Sequence, residues 1–277
     1  MIKKIIACAD IHFRNLEGLK ELQDVLLNFL HQCNEIIQKE ETPDDVRLIV
    51  CGDLVESKIS ISNECLLALA WFFRELDQLG CKVYIVGGNH DAILSNLQRV
   101  DSITPLFQIG EYENVKFLDA ELNYVSGCYV DDNVVWCLYS MFSDFDKPEI
   151  EEYKIKYPDK KFVGVIHGDV NGAVNFAGFV STRGLDPQIF KGLDFVIAGH
   201  IHKFQEINKA KTKIVYCSSI KQKDFGETIK GHGFVLWNVE DNSYEFVEVP
   251  NEEGGFYKFS IKDIKDIEKN KEVLLNP

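Results

Sequence analysis

No apolar run in this chain of 277 residues approaches the roughly 20 residues that a membrane-spanning helix needs, so we expect no membrane span. The start of the chain, Met1–Cys8, briefly resembles a signal peptide, but Asp10 and His12 cut the apolar run short. It predicts a first β-strand and no export signal. The chain also lacks internal repeats and low-complexity tracts. Its length suits one large domain, or one domain with an appendage.

Paired cysteine motifs are absent as well. The eight cysteines are scattered, and no C-x-x-C pair occurs among them. Several of them end apolar runs or lie on apolar faces of predicted helices, which is typical of buried free thiols in a reducing compartment. We therefore expect a cytoplasmic protein with free thiols, in which Cys128 and Cys137 could face each other across a hairpin.

Positive charge is scarce. The chain has 30 Lys and Arg residues against 44 Asp and Glu residues, which gives a formal net charge of −14. Proteins that bind DNA unaided usually present a basic surface, because phosphate neutralisation dominates their affinity. The composition therefore argues against strong autonomous DNA binding. It does not exclude nuclease chemistry, since bound divalent ions and a partner subunit could supply positive charge.

The first third of the chain alternates predicted strands with amphipathic helices, and Ser62 is the expected cap of the second helix. The strands are Ile2–Cys8, Val46–Cys51 and Lys82–Val86, and the helices are Gly18–Glu41 and Ser62–Leu79. This alternation implies parallel pairing with right-handed crossovers.

Later segments are mostly short predicted strands, including Asn123–Cys128, and we expect antiparallel pairing to dominate there. Together the two parts predict an α/β fold, a two-sheet sandwich flanked by helices. A change in composition after Pro250 predicts a domain of residues 1–250 and a short second segment, 251–277. In that second segment Phe256–Ile261 is a predicted strand.

Five short motifs directly follow predicted strands and contain five of the seven histidines. They are Asp10-Ile11-His12, Gly52-Asp53, Gly88-Asn89-His90-Asp91, His167-Gly168-Asp169 and Gly199-His200-Ile201-His202. One such motif alone is more often structural, but five at successive strand ends are not independent accidents. Because ligands bind outside the carboxyl ends of strands in open α/β sheets, these side chains are expected to converge.

The residue types suit a site for two divalent transition-metal ions. Ions roughly 3.5–4 Å apart need a ligand that bridges them, and the carboxylate of Asp53 is the candidate. Asp10 and His12 share one side of an extended segment, and His200 and His202 have the same spacing. A water shared by two such ions loses a proton near neutral pH and can attack phosphorus in line.

The five blocks resemble those of the calcineurin-like metallophosphoesterase superfamily, D-x-H, G-D-x-x-[DE], G-N-H-[DE], H and G-H-x-H. The resemblance covers residues 10–202, and Glu56 stands where many members have Asp. It implies a di-metal centre, most simply two Mn²⁺ ions. Asp10, His12 and His202 would bind one ion, Asn89, His167 and His200 the other, and Asp53 would bridge them.

Further roles follow from the same resemblance. His90 would be the general acid that donates a proton to the leaving-group oxygen. Asp91 would either hold His90 in the right tautomer or support the loop. Among the basic residues near the motifs, Arg183 in the glycine-punctuated loop 168–184 is the one expected to contact substrate. Phe176 and Phe179 in that loop either stack on an unpaired base or pin the loop to the body.

The segment Tyr216–Glu227 is similar to the Y-x-G-S-x-x-Q-x-x-F-G-E stretch of the SbcD and Mre-eleven DNA-repair nuclease subunits, with Ser218 in place of the glycine. Residues 255–259 resemble the start of that branch's capping domain, which would be vestigial or truncated here, as in a phage-type member. The branch implies a Mn-dependent DNA exonuclease and endonuclease of double-strand-break repair or recombination. It also implies an SbcC-type (Rad-fifty-like) ATPase as partner, and it allows a homodimer. The alternatives are a phosphatase or small-molecule phosphodiesterase on the same fold, and a non-catalytic scaffold.

Overall fold

The computed structural model describes residues 1–15, 18–96, 98–207, 211–251, 255–256 and 263–269. Within these residues the strands are β1 (Lys4–Cys8), β2 (Val46–Cys51), β3 (Lys82–Val86), β4 (Val115–Phe117), β5 (Gly127–Asp131), β6 (Val134–Tyr139), β7 (Lys161–His167), β8 (Phe195–Gly199), β9 (Gln205–Glu206), β10 (Lys213–Tyr216), β11 (Gly233–Asn238) and β12 (Ser243–Glu248). The α-helices are α1 (Leu19–Ile37), α2 (Asn63–Gln78), α3 (Thr104–Ile109), α4 (Leu118–Glu121), α5 (Ile150–Lys156) and α6 (Ile264–Lys269). Short 3-10 helices cover Pro43–Asp45, Met141–Ser143 and Pro187–Phe190.

The first sheet has the strand order β12–β11–β1–β2–β3–β4. Strands β1 to β4 pair in parallel, as the alternation of strands and helices predicted. The hairpin of β11 and β12 is antiparallel and adds to the sheet beside β1. Helix α2 begins after Ser62, whose Oγ accepts a hydrogen bond from the backbone N–H of Cys65 at 3.2 Å, so the predicted cap is confirmed.

The second sheet has the order β5–β6–β7–β8–β10–β9. Its four central strands, β6, β7, β8 and β10, are parallel, so the expectation that antiparallel pairing dominates the later part of the chain is wrong. Among the described strands of this sheet, antiparallel pairing is confined to its two outer pairs. The reason is that helix α5 and the loop 168–184 serve as crossover connections, which return the chain to the same end of the sheet.

One predicted strand, Asn123–Cys128, is misplaced. Asn123 and Tyr124 have φ angles of 54° and 60°, which lie outside the extended region, and the preceding residues form α4. Strand β5 therefore begins only at Gly127. The pattern of apolar residues, on which the predicted strand was based, does not distinguish this turn from the first residues of a strand.

Three hydrophobic layers hold the sheets and helices together. Because side chains alternate across a strand, Ile5 of β1 faces the second sheet whereas Ile6 packs beneath helices α1 and α2. Val165 of β7 faces the first sheet, and Ile166 lies in the layer on the outer face of the second sheet, which also contains Ile150 of α5. The predicted two-sheet sandwich flanked by helices is therefore confirmed.

The predictions for the C-terminal segment remain open. The predicted strand Phe256–Ile261 lies outside the described residues except for Phe256, so the capping segment and the boundary at residue 250 stay predictions.

None of the described helices is long and apolar enough to cross a bilayer. All eight cysteines are buried free thiols, as predicted, and the Sγ atoms of Cys128 and Cys137 face each other at 3.6 Å across β5 and β6.

Candidate metal centre

The five predicted motifs meet at one edge of the sandwich. The parallel strands β1, β2 and β3 of the first sheet and β7 and β8 of the second bring their carboxyl ends together there. The structure places all seven predicted donor side chains at this edge: Asp10, His12, Asp53, Asn89, His167, His200 and His202. Their donor atoms form two adjacent groups.

The first group consists of Asp10, His12 and His202. The Nε2 atoms of the two histidines lie 3.1 Å apart, and Oδ1 of Asp10 lies 4.0 Å from the first and 3.7 Å from the second. Asp10 and His12 are buried, and His202 is only partly exposed. Three donor atoms are therefore close enough together to hold one ion.

The second group consists of Asp53, His167, His200 and Asn89. Oδ1 of Asn89 lies 2.8 Å from Nδ1 of His200 and 3.3 Å from Nε2 of His167. The same Nε2 atom is 3.3 Å from Oδ2 of Asp53, and that oxygen is also 3.8 Å from Nε2 of His12. Asp53 therefore lies between the two groups.

The hydrogen bonding of His167 tests whether this arrangement suits a cation. Its Nδ1 atom lies 2.8 Å from the carbonyl oxygen of Cys51, so Nδ1–H donates to that oxygen. In the neutral ring the lone pair of Nε2 then faces the oxygens of Asp53 and Asn89, which also only accept. Burial lowers the pKa of His167, but the Asp53 carboxylate outweighs it and raises the pKa to about 10. The site thus favours positive charge at this point, and its oxygen and imidazole donors fit a divalent transition metal.

Backbone strain is concentrated at the same residues. Asp10, His12 and Asp53 have φ angles of 53–54°, and His200 has 93°, all in the left-handed region. Such conformations cost roughly 1–3 kcal/mol each and cluster at functional sites. The backbone N–H groups of Asp10 and His12 donate to the carbonyls of Gly52 and Asp53 at 3.0 Å, which holds the strained turns in register.

Two motif glycines permit the close approach of these loops. A Cβ atom on Gly52, where φ is +86°, would overlap the imidazole ring of His167. A Cβ atom on Gly88 would overlap the backbone nitrogen and the carboxylate of Asp53. Any side chain at these two positions would therefore displace a candidate ligand.

His90 lies at the rim of the site. Its Nδ1 atom is 2.7 Å from the carbonyl oxygen of Glu56, and its ring stands edge-on to that of His12 at a centroid distance of 4.9 Å. The backbone N–H of His90 donates to Oδ1 of Asp53 at 2.8 Å. One nitrogen of the ring is therefore fixed by the backbone, and Nε2 is left for other chemistry.

Asp91 does not orient His90, which corrects one of the two roles predicted for it. Its buried carboxylate accepts hydrogen bonds from the backbone N–H groups of Leu54, Val55 and Gly88 at 2.8–3.2 Å. Burial and the nearby Asp53 raise the pKa of Asp91 to about 7. Asp91 is therefore a support for two loops of the site and not a group that contacts the reacting atoms.

Sequence reasoning missed the residues that surround the donors. Oε1 of Glu227 lies 2.6 Å from Nδ1 of His202, and Oε2 of Glu56 lies 3.1 Å from Nδ1 of His12. Nζ of Lys223 is 3.3 Å from the same Glu56 oxygen. Both acids lie in motifs that the sequence analysis identified, Glu56 in the second block and Glu227 in the F-G-E stretch. Neither motif indicates which histidine ring lies beside the carboxylate.

The loop after β7 contains the other predicted substrate residues, and the structure separates them. Phe176 is partly buried against the ring of His232, at a centroid distance of 5.7 Å, so it pins the loop to the body. Phe179 is 74% exposed and thus free to stack on a ligand. Arg183 is also exposed, and its contact with substrate stays a prediction.

Residues 3–204 match the family of calcineurin-like phosphoesterases, and the chain belongs to this family. Members are hydrolases that use divalent metal ions, and the two donor groups described above are candidate sites for them. The predicted superfamily is therefore confirmed.

The individual relatives have between 22% and 33% sequence identity to this chain. An uncharacterized protein of Acanthamoeba polyphaga mimivirus is 33% identical over 259 residues, which cover 91% of this chain and 18% of that protein. Exonuclease subunit 1 of Enterobacteria phage T4 is 25% identical over 197 residues, or 71% of this chain and 54% of the phage protein. A subunit of the nuclease SbcCD from Staphylococcus epidermidis is 22% identical over 267 residues, or 86% and 67%. The chain thus spans about half of the phage relative and under a fifth of the mimivirus one.

Solved structures agree on the fold. A protein described as a 5′-nucleotidase from Staphylococcus aureus superposes with a TM-score of 0.51 at 14% identity, covering 98% of this chain and 58% of that one. This likeness shows a shared architecture. The narrower SbcD and Mre-eleven branch stays a prediction.

Proposed function

We propose that this chain is a two-metal phosphodiesterase that hydrolyses DNA. The observation that carries the proposal is the convergence of seven donor side chains in two adjacent groups, with Asp53 the member of the second group that faces the first, and with the imidazole of His90 at the rim. Support for DNA as substrate comes from relatives named as an exonuclease subunit and as a nuclease subunit.

Each donor group would hold one ion, and Mn²⁺ is the metal we propose. One ion would be bound by Asp10, His12 and His202, the other by Asn89, His167 and His200, and Asp53 would bridge them. When bound, the two ions would polarise the phosphate and activate a shared water. The protein contributes a frame for these side chains, because Glu227 and the Cys51 carbonyl hold the outward nitrogens of His202 and His167, and Glu56 lies 3.1 Å from that of His12.

His90 is the proposed general acid. Its Nδ1–H donates to the Glu56 carbonyl, so the ring presents Nε2, which in the protonated ring can donate to the leaving-group oxygen. The hydrogen bond from the backbone of His90 to Asp53 ties the acid to the bridging carboxylate. Displacement of one would therefore displace the other. Arg183, exposed on the loop after β7, is the proposed contact to the DNA backbone.

The decisive experiment incubates the chain with Mn²⁺ and end-labelled linear DNA, single-stranded and double-stranded. We expect cleavage of DNA and of bis(p-nitrophenyl) phosphate, and much slower turnover of p-nitrophenyl phosphate. The control is Asp53→Asn, which should lose both metal uptake and cleavage. Turnover of the monoester alone would favour the phosphatase alternative. A chain that takes up no metal in calorimetry would fit the non-catalytic scaffold.

A partner subunit belongs to the same proposal. Both nuclease relatives are named as subunits, and a chain with a net charge of −14 has little cationic surface of its own for duplex DNA. An SbcC-type ATPase would supply that surface, in double-strand-break repair or recombination, and a homodimer would supply a second active site. The chain alone is then expected to bind duplex DNA weakly at physiological salt, with affinity rising when the ATPase is added.

A further inference from the structure

Three cations of this acidic chain converge on one cavity beside the candidate metal centre. The cavity measures about 60 Å³, and Asp10 and His12 form one of its walls. Arg14, Lys221 and Lys223 line the same cavity. Such a concentration of positive charge stands out in a chain whose formal net charge is −14.

Two of the three cations are held in place by the protein. Nζ of Lys223 forms an ion pair with Glu56 at 3.3 Å. The guanidinium of Arg14 donates a hydrogen bond to the carbonyl oxygen of Lys223 and lies 5.7 Å from the ring centroid of Phe256. These contacts orient the side chains toward the cavity and leave most of their N–H donors unused.

Lys221 is different, because it has no hydrogen-bond or ion-pair partner within the part of the chain that the structure describes. It is partly buried, and burial lowers the pKa of its ammonium group; Glu21 and Asp24 raise the pKa, Arg14 lowers it, and the pKa stays lowered overall. A partly desolvated cation beside another cation is unfavourable on its own. Because the pKa stays lowered despite Glu21 and Asp24, an anion that binds Lys221 in the cavity would offset the remaining desolvation cost and the repulsion from Arg14.

The size of the cavity suits a small anion. A volume of about 60 Å³ accommodates a few water-sized groups, which matches one tetrahedral oxyanion. Because the wall formed by Asp10 and His12 belongs to the candidate metal centre, an anion here would sit next to the phosphate under attack.

We propose that the cavity lined by Arg14, Lys221 and Lys223 binds the phosphate group that neighbours the scissile one, so that the preferred substrate carries consecutive backbone phosphates. This inference rests on the proposed function and deepens it, because it assigns the residues that would hold the backbone phosphate next to the scissile one. A monoester or an isolated diester would leave the cavity without its anion.

The test compares three thymidine dinucleotides. One carries only the phosphate that joins its two nucleosides, and the others carry an additional 5′-phosphate or 3′-phosphate. We expect one of the two additions to lower Kd and KM about tenfold, the usual order for a charge-assisted contact to phosphate. Binding is followed by calorimetry with a divalent ion that does not support turnover, and hydrolysis is followed with Mn²⁺.

Three variants connect the gain to this cavity. Lys221→Gln should lose the benefit of the second phosphate, and Lys221→Arg should restore it. Lys191→Gln is the matched control, since Lys191 is exposed shortly before β8, on the opposite edge from His200, and it should keep the full gain. A second phosphate that brings no gain on either side, or a gain that persists in Lys221→Gln, would overturn the inference.

The outcomes also separate this inference from the proposed function. If the dinucleotides are bound with the predicted dependence on Lys221 but none is hydrolysed, the nuclease proposal fails and the phosphate subsite stands. If they are hydrolysed with no dependence on the second phosphate, the subsite fails and the phosphodiesterase proposal stands.

Discussion

Nδ1 of His202 lies 2.6 Å from Oε1 of Glu227, a residue 25 positions further along the chain. The other oxygen of Glu227 accepts a hydrogen bond from the backbone N–H of Lys223 at 2.8 Å. Burial raises the pKa of Glu227, but the hydrogen bond to His202, the charge of that ring and the backbone N–H of Lys223 act together against it, so the pKa is lowered overall. The carboxylate therefore fixes the tautomer and orientation of an imidazole whose other nitrogen faces the candidate metal centre.

Replacement of this carboxylate should weaken metal binding without unfolding the chain. Glu227→Gln keeps the size of the side chain but removes its charge, and we expect affinity for Mn²⁺ to fall about 10- to 100-fold. Isothermal titration calorimetry measures the change. Glu245→Gln, an exposed site on β12, is the charge-matched control and should bind metal normally. Unchanged affinity in Glu227→Gln would show that His202 needs no such support.

Loss of the proposed general acid should depend on the leaving group. His90→Gln should lower kcat on DNA by about 10²- to 10⁴-fold, because the departing sugar oxygen needs a proton. The effect on bis(p-nitrophenyl) phosphate should be far smaller, since nitrophenolate leaves without one. His31→Gln, exposed on α1, is the control. An equal loss on both substrates, or loss of metal, would assign His90 a role in binding instead of proton transfer.

Two glycines with the same φ angle separate backbone strain from steric overlap. Gly52 and Gly231 both have φ of +86°, but a Cβ atom would overlap His167 only at Gly52 and would meet open space at Gly231. Both alanine variants should lose roughly 1–2 kcal/mol of unfolding free energy from the left-handed conformation. Gly52→Ala should lose about 1–3 kcal/mol more from the overlap, together with metal affinity. Urea denaturation measures the difference, and equal losses would mean that His167 moves aside freely.

Ser218 stands where the resembled nuclease branch has glycine, and its φ of 80° explains that preference. Its Oγ donates to the carbonyl oxygens of His202 and Gly231 at 2.8 and 3.2 Å, which offsets the strain. We expect Ser218→Gly to be nearly neutral, since it removes about 1 kcal/mol of strain and about as much hydrogen bonding. Ser218→Ala keeps the strain and should be about 1 kcal/mol less stable than Ser218→Gly. Thermal unfolding that ranks the two variants the other way would contradict this account.

A buried ion pair between the two sheets should make the stability of the fold depend on pH in the acidic range. Nε of Arg47 on β2 lies 2.6 Å from Oδ2 of Asp131 on β5, and the hydroxyl of Tyr84 donates to the same oxygen at 2.8 Å. Burial raises the pKa of Asp131, but Arg47 outweighs it and lowers the pKa to about 2. A carboxyl with a pKa below its unfolded value stabilises the fold above about pH 4, and this contribution, about 2–3 kcal/mol, is lost as pH falls toward 2.

Asp131→Asn tests this dependence. The variant should lose about 3–5 kcal/mol at pH 7, because it leaves Arg47 buried without its counterion. The stability difference from the natural chain should shrink between pH 4 and pH 2, as followed by urea denaturation. Asp132→Asn, at the exposed neighbouring position, should show neither effect. A difference that stays constant with pH would indicate that the pair contributes packing and not charge.

Much of the site could be predicted from the sequence because each of its motifs is a short, contiguous segment of the chain. Each motif is a short string after an apolar run, and the bounds of β2 and β3 were predicted to the residue. Parallel strands then require that Asp53 and Asn89, at the ends of adjacent strands, lie together. The sequence therefore predicted the convergence of these side chains and the family, and their role as metal ligands stays a prediction.

Tertiary structure alone decided which neighbours those donors have. The contact of His202 with Glu227, the support of His90 by the Glu56 carbonyl and the burial of Asp91 under two loops all depend on how distant segments pack. Periodicity shows which face of a strand is buried, but not which strand lies beside it, so the parallel order of the second sheet was also missed. The hydrogen-bond partners of these imidazoles come from segments that are distant in the sequence. Those segments come together only when the two sheets pack against each other.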